Sequence, residues 1–76
     1  MAYAIPGHAA TALQSDTVNL KSPVVIYIGG DGDMKVVTEG GDIVTFVGLS
    51  AGDILPVSVI RVYSTGTTAT DLVQMW

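Results

Sequence analysis

Seventy-six residues make one domain with a small core, and the absence of cysteine together with a single histidine excludes disulfides and thiolate metal sites as its support. A core of this size supplies about 3–5 kcal/mol by itself, so association with a partner is the remaining source of stability. A net charge of −4, with Lys21, Lys35 and Arg61 as the three cations, excludes the clustered basic surface that nucleic-acid binding needs.

The chain is also greasy for its size: 49% of residues are hydrophobic, 13% are charged, and mean hydropathy is +0.53. Small domains expose a large share of their residues, so the excess apolar surface is expected in interfaces. No run approaches the roughly 18 apolar residues of a membrane span, which gives no reason to expect a membrane partner. The opening "MAYAIPGHAATALQ" lacks the basic start and apolar core of a secretion signal. It reads as a chain made in the cytoplasm.

Residues 1–22 stand apart. Turn formers, Pro6-Gly7 and Ser15-Asp16-Thr17, flank the short "AATALQ", and the apolar residues are too scattered for a strand. The segment reads as an extended arm ordered on another surface, or as a disordered tail. In the arm reading, residues 9–20 run along a neighbour and Leu13 and Leu20 are its apolar contacts.

From Val24 onward Val, Ile, Tyr, Phe and Thr dominate, and the chain reads as strands. They are expected at Val24–Ile28, Met34–Thr38, Ile43–Val47, Leu55–Tyr63 and Leu72–Trp76. Gly30-Asp31, Gly41-Asp42 and Gly52-Asp53 recur every eleven residues between them. Glycine supplies positive φ and aspartate caps its own turn, so each pair can reverse the chain. The spacing suits antiparallel strands with tight loops. Residues 23–76 are therefore expected to form a small antiparallel β-sandwich or barrel of about five strands, an all-β fold.

Alternation then leaves few polar faces. In the first strand Val25 and Tyr27 oppose Val24, Ile26 and Ile28; in the third Val44 and Phe46 oppose Ile43, Thr45 and Val47. In the fourth, simple alternation sets Leu55, Val57, Val59, Arg61 and Tyr63 against Ser58, Ile60 and Val62. At the end Leu72, Gln74 and Trp76 face away from Val73 and Met75. Strands apolar on both sides are covered on both sides. A neighbour is expected on the second face, and the candidate contacts along the strands are Val25, Tyr27, Phe46, Ile60, Tyr63 and Met75.

Chemistry is hard to find. "GGDGDMKVV" has Met34 where a calcium β-roll needs aspartate, and Val36 where an EF-hand loop needs glycine. After "GGDGD" no helix or lysine follows at the place that a phosphate loop requires. The acidic residues sit in turns, and His8 lies in the arm, where no serine is held beside it. The expectation is a non-enzyme with no cofactor and no metal. Arg61, the single arginine, either anchors an interface by gripping a carboxylate or reaches solvent from the strand edge. Trp76 is placed in an interface, because large aromatics concentrate there.

These residues also resemble a known family. "YIGGDG" over Tyr27–Gly32, "GGDIVTF" over Gly40–Phe46, the strand Ala51–Val62 and "TGTTAT" over Thr65–Thr70 are similar to the head-spike base proteins of gene transfer agents and related tailed phages. "LQSDTVNL" at residues 13–20 looks like the family's "TPSDSTDL", so the resemblance spans residues 13–76. Gln74-Met75-Trp76 departs from the family's small–aliphatic–aromatic finish. The resemblance implies a β-rich virion protein on the outer capsid surface, a decoration, cement or head-spike base subunit. Its implied partners are the major capsid protein, its own copies in a trimer or pentamer, and a head fibre. A small carbohydrate-binding β module using Tyr27, Tyr63 or Trp76 is the alternative.

Overall fold

The computed structural model describes residues 6–76; residues 1–5, the first part of the expected arm, lie outside the described residues. Six strands form: β1 (Ala9–Thr11), β2 (Val24–Tyr27), β3 (Gly32–Thr38), β4 (Ile43–Leu49), β5 (Ile54–Val62) and β6 (Val73–Met75). All pair antiparallel in one sheet ordered β1-β6-β2-β5-β3-β4, and no helix forms among the described residues. The expected all-β class is the class observed.

The long strand β5 makes the sheet curl. Its beginning pairs with β2 (Ile54 with Tyr27, Leu55 with Ile26), and its end pairs with β3 (Arg61 with Val37, Val62 with Val36). Between them, one step on β3 from Val37 to Thr38 is matched by two on β5, from Arg61 to Val59. Ile60 is the extra residue of a bulge, which bends and twists its strand. The bulge also resets the alternation. Leu55 and Val59 point into the core as simple alternation requires, but Val62 is fully buried as well. Strict alternation had set Val62 on the face opposite Val59, and the inserted residue corrects that.

The curl brings the inner faces into one core. Ile26, Ile28, Met34, Val36, Val59 and Val62 have no exposed surface, and burying each side chain contributes about 1.5–3 kcal/mol. A flat sheet of one chain could not enclose them. Loops complete the core with Ala69 and Leu72, and the segment before β2 adds Ala12 and Leu20.

That segment lies along its own sheet. Small residues with little strand preference, Ala9, Ala10 and Thr11, form β1 because β6 offers an edge: they pair with Met75, Gln74 and Val73. Farther on, Ser15 N–H donates to the Val62 carbonyl at 2.9 Å, and Leu20 N–H donates to the carbonyl of the bulged Ile60 at 2.7 Å. Ser15 Oγ accepts from the Thr17 and Val18 amides and holds the turn between these bonds.

Candidate assembly surface

Trp76 closes β6 beside the first described residues. Its carbonyl accepts from the Gly7 and His8 amides, its own N–H donates to the His8 carbonyl, and its ring stacks on the His8 imidazole at 5.2 Å and 20°. The indole remains 42% exposed. It walls a groove of about 450 Å³ between β6 and the segment 13–22, together with Leu13, Val18, Leu20, Lys21 and Gln74. Leu13 and Val18 are exposed apolar residues on its rim. Gln74, one of its lining residues, keeps Oε1 buried with no hydrogen-bond donor among the described residues. An unmet buried acceptor costs about 1–3 kcal/mol, so Gln74 is poorly satisfied among the described residues.

β4 is the second unsatisfied feature. It ends the strand order, and its sequence "IVTFVGL" contains no charge and no proline, the usual protections of a free edge. Ile43, Val44 and Val47 are exposed, Val47 to 76%. Thr38 N–H donates to the Asp42 carbonyl, and Val36 opposes Val44. Antiparallel bonding alternates, so Ile43 and Thr45 turn their N–H and C=O groups away from β3. Alternation of "IVTFVGL" carried this signal, but the position at the sheet's end did not follow from it. Gln74, Val18, Ile43 and Val47 were thus missed as surface candidates.

The expected contact residues divide by their surroundings. Leu13, Tyr27 and Trp76 are exposed; Val25, Phe46, Ile60, Tyr63 and Met75 are half-buried. Leu20 belongs to the chain's own core. Arg61 reaches the arm: its Nε donates to Asn19 Oδ1 at 2.8 Å, and its terminal nitrogens donate to the Asp16 and Thr17 carbonyls at 3.4 Å. It also lies 5.7 Å from the Tyr63 ring centroid, with Lys35 Nζ at 4.7 Å from the same ring. Cations so placed gain from the ring's negative face.

Three of the turn acids accept from backbone amides. Asp31 Oδ1 accepts from Ala51 N–H at 2.7 Å, Asp33 Oδ1 from Gly48 N–H at 3.0 Å, and Asp53 Oδ2 from Ser50 N–H at 2.8 Å. Gly48 sits at a bulge in β4 with φ +75°, where a Cβ would be strained. Asp16 gathers three bonds: from Thr65 Oγ1–H at 2.6 Å, Thr65 N–H at 2.9 Å and Ser64 Oγ–H at 3.2 Å. The Thr65 side-chain bond, then its amide, hold this carboxyl below the usual aspartate range.

Two motifs separated in sequence turn out to be partners. The loop "TGTTAT" lies on "GGDG": Thr68 and Ala69 amides donate to the Asp33 carbonyl, Thr68 Oγ1 accepts from Asp33 N–H and Thr67 Oγ1 from Lys35 N–H. Gly30 and Thr70 form a bridge. A Cβ on Gly32 would stand 2.5 Å from Ala69 N, so glycine is required for this approach.

Comparison with solved structures is informative. No family model and no curated protein matches the chain. A chain from the solved structure "Capsid of native GTA particle computed with C5 symmetry" superposes with a TM-score of 0.83 at 32% identity, covering 95% of this chain and 84% of that one. With a shared fold and that identity over most of both chains, this protein belongs to the family of that gene transfer agent capsid component, a phage-like capsid-associated structural protein.

Proposed function

We propose that the chain sits on the outside of a phage-like capsid as a decoration, cement or head-spike base subunit. It binds the major capsid protein, associates with its own copies as a trimer or pentamer, and either strengthens the shell or anchors a head fibre. The observation that carries this reading is the likeness to the gene transfer agent capsid chain over 95% of the sequence. The acidic balance supports an exterior position, since a surface facing packaged DNA favours cations. Exposed Leu13, Tyr27 and Trp76, with Val25, Phe46, Ile60, Tyr63 and Met75 beside them, supply the contact area.

The mechanism of such a subunit is adhesive. Apolar groups that a lone copy leaves wet are removed from water when shell and neighbours cover them, at about 25 cal/mol per Å². The test is occupancy. Particles assembled with Trp76→Ala are expected to lose about tenfold or more of the bound chain, while circular dichroism of the free variant is unchanged. Undiminished occupancy contradicts the contact role, and a stable monomer that binds a glycan favours the carbohydrate alternative.

A further inference from the structure

Two unsatisfied features complement each other. The groove beside Trp76 is apolar and has Lys21 as its charged wall among the described residues. The β4 edge projects Ile43 and Val47, turns the N–H groups of Ile43 and Thr45 outward, and begins beside Glu39 and Asp42. The edge offers aliphatic side chains and acidic charge. The groove offers an aliphatic cleft and a cation. They also belong to opposite ends of the strand order: β4 is last, and the groove lies by β6 next to β1.

We infer that the β4 edge of one copy docks into the Trp76 groove of a second copy, head to tail. Such a contact uses two different patches, so every copy keeps one free half of each kind and association continues until a ring closes. An isologous pairing of β4 with β4 would instead bring Glu39 and Asp42 of each copy towards the acidic Ser50–Asp53 turn of the other, and would leave Lys21 and the apolar groove without a counterpart. The inference rests on the reading of the chain as a self-associating capsid subunit.

The experiment mixes two variants of the full chain. Val47→Glu alters a side chain that is 76% exposed, and Leu13→Asp alters one that is 52% exposed, so neither disturbs the core. In sedimentation velocity each alone is expected to associate at least about tenfold more weakly than the natural chain, the loss of one buried aliphatic contact. Mixed in equal amounts they are expected to form one-to-one heterodimers, because each brings the half that the other lacks. Ile43→Glu replaces Val47→Glu if the latter aggregates. Natural-strength association by the β4 variants, or a mixture that stays monomeric, overturns the contact. A natural chain that stays monomeric yet loads onto particles overturns it too and leaves the capsid reading standing. Heterodimers from a chain absent from particles support the contact and defeat the capsid reading.

Discussion

Asp16 shows how one exposed side chain orders a segment. Its carboxylate receives the Ser64 and Thr65 hydroxyls and the Thr65 amide, joining the arm to the loop after β5. Because its folded pKa is lowered, its contribution is present above the unfolded aspartate value, about 3.9, and disappears as pH falls through the lower folded value. Asp16→Asn is expected to speed amide exchange at Thr65 severalfold near neutral pH and to remove the acid-dependent part of that exchange. Identical exchange profiles for variant and natural chain would contradict the role. The Ser-Asp-Thr run was legible as a turn; that its acid would reach a loop nearly fifty residues away was not, because pairing across the fold leaves no local pattern. The same is true of Gly32, whose need for glycine comes from Ala69 rather than from its neighbours.

At the scale of elements, five strands were legible because β-branched runs alternate with Gly-Asp turns, and β2 to β6 stand where those runs are. β1 was not, since Ala9-Ala10-Thr11 has no strand preference and forms by borrowing the β6 edge. The bulge at Ile60 was equally hidden: it arises from the register with β3 and inverts the simple alternation at Val62. Its carbonyl receives Leu20 N–H, so bulge and arm depend on each other. Leu20 is 8% exposed within the core cluster. Leu20→Ala is expected to lower unfolding stability by about 2–3 kcal/mol, read from chemical denaturation. A loss under about 0.5 kcal/mol, the range of surface substitutions, would show that the segment contributes little to the fold.

At the scale of the molecule, composition foretold surplus apolar surface, and the structure locates it. Half of the chain is hydrophobic, yet Ile43, Val47, Ile54, Val18 and Leu13 stand more than half exposed, Ile43 and Val47 on an unblunted strand edge. A domain built to live alone would place charge or proline there. Which strand would be that edge depended on the order β1-β6-β2-β5-β3-β4, which no single segment encodes. Family membership ties the chain to a capsid assembly, the proposed cover for such surface. The central claim is that a capsid assembly shields what the isolated chain leaves wet. Electron cryomicroscopy of purified particles carrying this chain tests it most directly: the six-stranded fold should stand on the shell with Ile43 and Val47 packed against protein. Particles without that density, or with β4 facing open solvent, would contradict it.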